Sequence, residues 1–468
     1  MNRKEVRLYS YTGVEMDYVS TAFAKFAQDL QFEDLTQEVV LQAKKSILDL
    51  IGVALAGYRM EFPAMAVEYI AGLGGKPEAT IIQRGKKYPA IHAALANGIC
   101  SHALDMDDGH RYGAVHPASP IVPAAIAAAE LGGSNGKDLI TATVAGFEVL
   151  LRVSRAINPS HLSRGFHTTG TVGAFGAAVA SGKIIGLCQE EMVNSIGMAG
   201  LQGAGLLEIL HDGAMVKSLH SGKAALGGLL AAIFARNGAK GPVSIFEGQK
   251  GFLGAMADTV DPDVLLKGLG ESFEILGTYF KFHAACRHTH PAIDAALEIL
   301  RKNSIAPQDI ARIEIETYPV AIQFCGHTVH PETVSAAKFS IPFSVAMAIL
   351  LGDLSTDKFT EANIRDERIK SLADRVKVSP GKGWGVVYPD KRGASVTLKT
   401  VSGQSYFTSI HLAKGEPETP ASLEELMEKF HTNATQVLTK EKVRRLGENI
   451  MNLENLSVSH ITSFLYSE

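Results

Sequence analysis

Segments dominated by alanine, glycine and other small or apolar residues recur between residues 18 and about 270 and limit how this region can fold. The clearest examples are residues 124–129, 171–181 and 224–235. Such a composition weakens an isolated helix, but it lets helix axes approach closely once the helices are buried. Because strand signals are scarce here, the pattern predicts a compact, layered helical bundle.

The pattern changes after Phe273. Residues 313–317 alternate with period two, and residues 394–400 and 405–410 flank a Val-Ser-Gly-Gln turn, which predicts a strand and a hairpin. Helical patterns at 291–302 and 340–351 interleave with these strands. This mixture predicts a separate α+β unit.

The chain as a whole is therefore predicted to be mainly α, with two domains. Residues 1–274 form the first part of a large all-helical domain, residues 275–413 a smaller α+β domain, and residues 414–468 a helical C-terminal part that packs back on the first. Residues 414–420 have the Pro, Gly and charge composition of a linker. A length of 468 residues agrees with this division, because single cores usually split beyond ~250–300 residues.

Composition restricts the partners of the chain. Its net charge of −4 comes from interspersed charges, so we expect neither nucleic acid nor a membrane surface as partner, but a small molecule. Four separated cysteines without a CxxC pair, and no apolar segment after Asn-Arg-Lys-Glu, lead us to expect a reduced, cytoplasmic protein. The longest apolar run, residues 121–131, is shorter than the ~20 residues of a membrane span.

Residues 101–117 are the first candidate for an active-site wall. They place three carboxylates, three imidazoles and one guanidinium between two Ala-rich helical segments. The acidic and histidine side chains are short and suit a fixed geometry at a helix end, unlike the Lys and Glu of a solvated surface. The candidates in this stretch are Asp105, Asp107, Asp108, His110, Arg111 and His116.

Three further clusters carry chemistry. His167 precedes a Gly/Ala helix that Thr168 or Thr169 could cap, a position that suits an anion, although His167 could equally be a loop residue bonded to backbone. Lys217 and His220 share one helical face, where the ammonium either reaches solvent or faces a cavity that holds a substrate anion. The third cluster consists of Lys281, Cys286, Arg287, His288 and His290.

A metal site is a weaker interpretation of these residues. Asp105-x-Asp107-Asp108-x-His110 and His288-x-His290 could supply ligands. Neither an HExxH spacing nor paired cysteines occur, and closeness of carboxylates and histidines alone is a poor indicator of metal binding. We therefore expect no metal.

Taken together, the motifs resemble the MmgE/PrpD family, which includes 2-methylcitrate dehydratase, cis-aconitate decarboxylase and iminodisuccinate epimerase. The resemblance runs in order from about residue 18 to residue 465. It is carried by residues 43–57, 102–108, 165–170, 217–220, 286–291 and 338–342. It implies a large helical domain built from both chain ends, an inserted α+β lid, a homodimer, and no required metal or organic cofactor.

The resemblance also implies site residues. By motif, the catalytic candidates are Asp105, His116, His167, Lys217 and Lys281. The chain departs from the family pattern at Gly109, where a threonine is expected, and by the same resemblance it is one residue longer between Asp105 and His116. These departures leave the substrate open.

The residue types fit the chemistry of a small polycarboxylate without the family name. Cations such as Lys217 and Lys281 would bind carboxylates and stabilise a carbanion, while His116 and His167 would exchange protons. Asp105 is predicted to orient one imidazole. Arg111 could clamp a carboxylate or form a salt bridge to Asp107 or Asp108. The candidate substrate-binding residues are Arg111, His110, His220, Arg287 and His288.

The preferred interpretation is a cofactor-independent lyase similar to 2-methylcitrate dehydratase. Decarboxylation or epimerisation on the same scaffold stays open, because the sequence does not say on which face of the substrate each group lies. A metal-dependent hydrolase and a non-catalytic carboxylate-binding protein are the alternatives from other classes. The remaining acids, Asp107 and Asp108, are predicted to be structural, as a helix cap or a salt bridge.

Overall fold

The computed structural model describes residues 18–210 and 214–466. The N-terminal residues on which the expectation of no signal peptide depends, and the start of the predicted domain 1–274, lie outside the described residues. Among the described residues, the segment Met215–Arg236 is long and apolar enough to cross a membrane by length and composition. The sequence analysis did not single it out, and 61% of its most apolar window is buried inside the protein, as in a core helix.

Helices form the first part of the chain, as predicted. Two short hairpin strands, β1 (Ala79–Thr80) and β2 (Lys87–Tyr88), interrupt them. The helices are α1 (Val19–Asp29), α2 (Gln37–Gly57), α3 (Glu61–Gly72), α4 (Ala90–His102), α5 (Ala118–Gly132), α6 (Gly136–Ile157), α7 (Ser160–Ser163), α8 (Thr168–Ile184), α9 (Gln189–Gly200), α10 (Leu219–Arg236), α11 (Phe252–Met256) and α12 (Asp263–Leu266).

Small residues let these helices approach closely. Where α4 crosses α10, a Cβ atom on Gly98 would lie only 2.8 Å from the Cα of Gly222. Where α6 crosses α8, a Cβ atom on Gly146 would lie 2.7 Å from the carbonyl oxygen of Gly176. Distances this short are not found for real Cβ atoms, so the predicted close packing of helix axes is confirmed.

The second unit contains a four-stranded mixed sheet in the order β6-β5-β7-β8. The predicted hairpin is confirmed as β7 (Ala394–Thr400) and β8 (Ser405–Ile410), and the predicted strand as β5 (Ile310–Thr317). The sequence analysis missed β6 (Val376–Pro380), which pairs parallel with β5. The helices are α13 (His290–Asn303), α14 (Pro319–Cys325), α15 (Val334–Ala337), α16 (Ile341–Leu351), α17 (Glu361–Ile364), α18 (Glu367–Ala373) and α19 (Trp384–Val387).

The C-terminal helices α20 (Leu423–Ala434), α21 (Lys440–Met451) and α22 (Val458–Thr462) pack back on the first helices, as predicted. Phe430 and Leu446 belong to the same large hydrophobic core as the first helices. A second large core gathers the sheet and α13 to α19, and it also includes Leu104 and Met106 from the helical part. The exact domain boundaries and a lid role for the second unit stay predictions.

A small antiparallel pair joins the candidate wall to the second part of the chain. Strand β3 (Gly109–His110) pairs with β4 (Thr278–Tyr279), so that Gly109 lies opposite Tyr279. The residues that follow β4 include Lys281. This pairing therefore fixes the loop after α4 against the segment that carries one of the predicted catalytic lysines.

The close crossing of α8 and α10 gives a stability prediction. A Cβ atom on Gly228 would lie 2.5 Å from the backbone nitrogen of Ala178, so Gly228→Ala should force the two backbones apart. We expect the free energy of unfolding, measured by urea titration, to fall by about 1–3 kcal/mol. The control is Gly72→Ala near the end of α3, where nothing lies within 4 Å and the free energy should not fall. Equal urea midpoints for the two variants would contradict the prediction.

Candidate active site

The loop between α4 and α5, residues 103–117, is held in an unusual backbone conformation. Asp105 has a φ of 54° and Ala114 a φ of 46°, both in the left-handed region that L-residues seldom occupy. Each such residue costs of order 1–3 kcal/mol unless its surroundings hold it in place. The loop must therefore be held by its contacts.

Three buried lysines make those contacts by donating to consecutive carbonyl oxygens. The Lys338 ammonium lies 3.1 Å from the carbonyl oxygen of residue 104, that of Lys281 lies 2.8 Å from residue 105, and that of Lys429 lies 2.9 Å from residue 106. Two of these lysines come from the second part of the chain and one from α20. We call this arrangement the lysine clamp.

Asp105 forms ion pairs with two lysines. Its Oδ1 lies 2.5 Å from Lys217 Nζ, and its Oδ2 lies 3.4 Å from Lys281 Nζ. Burial opposes ionisation, but the two ammonium charges outweigh it and hold the pKa of Asp105 well below its usual value. The carboxylate of Asp105 contacts these two lysines, so its predicted role in orienting an imidazole is not supported by its contacts.

Asp107 takes the role that was predicted for Asp105. Its Oδ2 lies 2.7 Å from His102 Nδ1 and 3.5 Å from His116 Nδ1. Burial opposes the charge on Asp107, but the two imidazoles outweigh it and hold its pKa below the usual value. The neighbouring Asp108 accepts a hydrogen bond from the backbone N–H of Ala118 at the start of α5, as expected for a cap.

His116 has a defined tautomer. Its Nδ1 lies 2.6 Å from the carbonyl oxygen of Asp108, which can only accept, so Nδ1–H donates and Nε2 carries the lone pair. Burial lowers the pKa of His116 to about 3, although Asp107 opposes this. His116 is therefore neutral near pH 7, with a free basic nitrogen.

His167 and His220 form a second imidazole group. Their Nδ1 atoms lie 2.9 Å apart, so one donates a hydrogen bond to the other. Burial, and next the charge of Lys217, holds the pKa of His167 well below its usual value. The ring of His102 lies between the two groups, 4.8 Å from His116 and 5.5 Å from His167 between centroids.

The start of α8 differs from the prediction in one detail. His167 is the residue before the helix, as predicted, but neither Thr168 nor Thr169 caps it. Both threonines lie inside the first turn. The Thr169 hydroxyl instead accepts a hydrogen bond from the backbone N–H of His116 at 3.1 Å, which ties the helix start to the loop.

His288 borders the same group from the second unit. Its Nδ1 lies 2.5 Å from the hydroxyl of Tyr318, and its ring stacks on Phe324 at 5.8 Å between centroids. Burial lowers the pKa of His288 to about 3, and the charges of Arg392 and Lys281 add to this. His288 is therefore a neutral group within electrostatic range of the lysine clamp.

The two predicted substrate-binding arginines are occupied by the linker. Arg287 donates from Nε and Nη2 to the Glu416 carboxylate at 3.0 and 2.9 Å. Arg111 donates to the Glu418 carboxylate and to a backbone carbonyl at residue 390. Neither contacts Asp107 or Asp108, because the linker folds back over both guanidinium groups. Their predicted role in substrate binding is not supported by these contacts.

His110 is also engaged elsewhere. It lies in β3, where its Nδ1 accepts a hydrogen bond from the backbone N–H of Gly113 at 3.2 Å and its Nε2 lies 3.9 Å from a Glu274 oxygen. Burial lowers the pKa of His110 to about 3. These contacts indicate a structural residue of the β3–β4 pair.

Sequence reasoning missed three residues of the site, namely Lys338 and Lys429 of the lysine clamp, and His102. Lys338 lies in a stretch that was used for the family resemblance, and the only signal in the sequence was a lysine next to the apolar helix α16. His102 was counted among the imidazoles of the loop but was not selected, because it ends α4 and resembles a helix-terminal histidine.

One trio among the described residues could hold a metal ion. The ligand atoms of His102, Asp107 and His116 lie within 4.8 Å of one another. However, both Nδ1 atoms already have acceptors, and the charges of Lys217 and Lys281 act on His116. This environment fits an anion better than a cation.

The comparisons with known proteins cover most of the chain. Family models for the MmgE/PrpD N-terminal domain and the MmgE/PrpD C-terminal domain match residues 21–265 and 283–455. A cis-aconitate decarboxylase of Homo sapiens is 28% identical over 94% of this chain and 92% of its own length, and one of Aspergillus terreus is 25% identical over 94% of both. A 2-methylcitrate dehydratase of Salmonella typhi is 24% identical over 59% of this chain and 60% of its own length.

The lysine clamp gives a second stability prediction. Lys429 also lies 2.5 Å from Asp49, and both are buried. Burial raises the pKa of Asp49 and lowers that of Lys429, against their mutual attraction. Lys429→Met would leave the carboxylate unpaired, so we expect the free energy of unfolding in urea to fall by about 3–5 kcal/mol.

The matched control for this prediction is the double variant Asp49→Asn, Lys429→Met, which removes both charges. It should recover part of the lost stability, because no uncompensated charge stays buried. A double variant as unstable as the sum of the two single variants would show that the two charges do not interact.

Proposed function

The chain belongs to the MmgE/PrpD family and is a lyase, and we propose that it acts on a small tricarboxylate by moving a proton at a carbon next to a carboxylate. One observation carries the proposal. Two neutral imidazoles, His116 and His167, lie beside three ammonium groups, those of Lys217, Lys281 and Lys338. Only two ionised aspartates, Asp105 and Asp107, offset these positive charges. This combination suits an anionic substrate that must gain or lose a proton.

The charges favour binding of a polyanion. Lys217, Lys281 and Lys338 bring three ammonium groups, whereas Asp105 and Asp107 are the carboxylates with lowered pKa values beside them. Asp108 does not add to them, since burial and the charge of Asp107 raise its pKa well above the usual value. A bound tricarboxylate would supply the missing negative charge, and buried donors of this kind stabilise developing charge by about 3–4 kcal/mol each.

The two imidazole groups divide the proton transfers. His116 Nε2 acts as the base, because its Nδ1–H is committed to a carbonyl oxygen. His167, backed by His220, delivers the proton on the other side. In a dehydration His116 removes the proton next to a carboxylate, and the hydroxyl leaves with a proton from His167, which first takes up that proton from water; the negative charge of the bound substrate favours this uptake. In a decarboxylation the C–C bond to the carboxylate breaks, CO₂ leaves, and the carbon takes its proton from an imidazole protonated in the same way.

Decarboxylation of a cis-aconitate-like substrate is the first candidate. The cis-aconitate decarboxylases align over nearly the whole of this chain, whereas the 2-methylcitrate dehydratases align over about 60%. Dehydration of a 2-methylcitrate-like substrate is the second. We also propose that the protein acts as a homodimer in the cytoplasm.

The structure shows what occupies the space beside Gly109, where the family pattern has a threonine, and this bears on substrate choice. A Cβ atom on Gly109 would collide with the ring and hydroxyl of Tyr279, so a threonine does not fit at this position. The space that the family pattern gives to a threonine side chain is thus filled by a phenol here. A substrate of somewhat different shape from those of the relatives is consistent with this exchange.

The test is turnover, followed by proton NMR in D₂O on EDTA-treated protein with cis-aconitate, citrate, 2-methylcitrate and iminodisuccinate in separate samples. We expect one substrate to be converted with deuterium uptake. His116→Gln should lower kcat/KM by about 10²–10⁴-fold, because it removes a positioned base.

His330→Gln is the control for this experiment, because His330 is an exposed histidine paired with Asp374. It should keep wild-type turnover. Activity that appears only when Zn²⁺ or Mn²⁺ is added back would favour metal-dependent chemistry at His102, Asp107 and His116. The absence of turnover with every substrate, with and without added metal, would overturn the proposed substrate class.

A pH prediction follows from Lys338. Burial lowers the pKa of Lys338 to about 8 in the free protein, so its positive charge is present below that pH and is lost above it. We expect kcat/KM for the tricarboxylate to fall by about tenfold as pH rises through 8, mainly through a higher KM. Lys338→Met should lack this decline. A decline that persists unchanged in the variant would assign the titration to another group.

A further inference from the structure

We propose that Arg392 holds a second carboxylate of the substrate, at a distal subsite formed with His288 and Tyr318 on the side of the α+β unit. The proposal rests on the proposed function, because it states how a tricarboxylate would be oriented between the two parts of the chain. Neither the sequence motifs nor the comparisons single out this arginine.

Arg392 is a buried cation without an acidic partner. Its side chain precedes β7 and is 6% exposed. One guanidinium nitrogen, Nη2, donates to the backbone carbonyl oxygen of Arg111, while Nε is buried and has no hydrogen-bond partner. Among residues 18–210 and 214–466, no carboxylate lies within 4 Å of its guanidinium; the charge of Glu416, which is already paired with Arg287, acts on it from farther away.

The two neighbouring arginines show the contrast. Arg287 and Arg111 are buried to a similar extent, and each is neutralised by a glutamate of the linker. Burying a charge is costly unless it is paired and hydrogen-bonded. An unpaired guanidinium beside two paired ones therefore indicates a partner that the chain itself does not supply, namely an anion.

The position of Arg392 suits a substrate that reaches across the site. Its charge acts on His288 and on the phenols of Tyr318 and Tyr388, whose rings stack 4.9 Å apart. The backbone places Arg392 near Tyr318, because the Thr317 hydroxyl donates to the carbonyl oxygen of Gly393 at 2.8 Å, and these two residues are the chain neighbours of Tyr318 and Arg392. Tyr318 in turn contacts His288 Nδ1, and the charge of Lys281 also acts on His288.

This arrangement favours ligands that carry at least two carboxylates. One carboxylate would bind near Lys217 and Lys281, where the proton transfers occur, and a second would accept two parallel hydrogen bonds from Arg392. A planar guanidinium has the fork geometry for this contact, which an ammonium lacks. A ligand with a single carboxylate could occupy one end of the site only.

The experiment compares the binding of three probes by isothermal titration calorimetry. Tricarballylate carries three carboxylates, and glutarate lacks the central one but keeps two at its ends; acetate is the single-carboxylate reference. We expect Arg392→Gln to weaken tricarballylate and glutarate by about 10- to 100-fold, the loss of a charge-assisted contact, and to leave acetate unchanged. KM for the substrate should rise by a similar factor, with kcat changed less than tenfold.

Two further variants keep the test decisive. Arg392→Lys retains the charge and should weaken the two longer probes about tenfold even if Arg392→Gln fails to fold. Arg368→Gln removes an exposed arginine paired with Asp366 and should change nothing.

The outcomes separate the two proposals. Wild-type protein that binds tricarballylate with an affinity unaffected by Arg392→Lys and Arg392→Gln would overturn the distal subsite alone. Equal weakening of all three probes would also overturn it, because a loss of affinity that does not depend on the number of carboxylates indicates a structural defect. Wild-type protein that neither binds tricarballylate nor turns over any tricarboxylate would overturn the proposed function, and the subsite with it.

Discussion

Consecutive carbonyl oxygens at residues 104, 105 and 106 each accept a hydrogen bond from a buried ammonium, and the geometry of the whole site depends on this contact. Removing three lysines from water is costly, and the cost is offset only where the acceptors are well placed. The same contacts hold Asp105 in its left-handed conformation, which directs its carboxylate to Lys217. The loop and the lysines thus fix each other.

Histidines and lysines have different electrostatic roles in this buried site. The imidazoles of His116, His167 and His288 lose their charge on burial and stay neutral, so they are available to exchange protons. Positive charge is supplied by lysines, and Asp105 holds two of them close together. The site therefore uses different residues for two tasks: lysines carry the positive charge, and neutral imidazoles exchange protons. One residue could not perform both tasks equally well at a single pH.

The sequence predicted the helical architecture, the β7–β8 hairpin and most of the residues that meet at the site. Helical periodicity and hairpin spacing are local, and the motifs that gather His116, His167, Lys217 and Lys281 lie in recognisable stretches. The errors concern long-range partners. Composition marked residues 414–420 as a linker but could not show that Glu416 folds back on Arg287. Strand β6 was missed because it is short and contains polar residues, and its pairing with β5 comes from tertiary contacts.

The same limit explains the exchange of roles between Asp105 and Asp107. Both are aspartates two residues apart, and the sequence does not show that Asp105 has a left-handed backbone and contacts Lys217 while Asp107 contacts His102. Lys429 adds a consequence for biosynthesis. The third ammonium of the clamp lies 323 residues after the carbonyl oxygen that it holds. A growing chain consequently contains the histidines of the loop long before it can complete the lysine clamp.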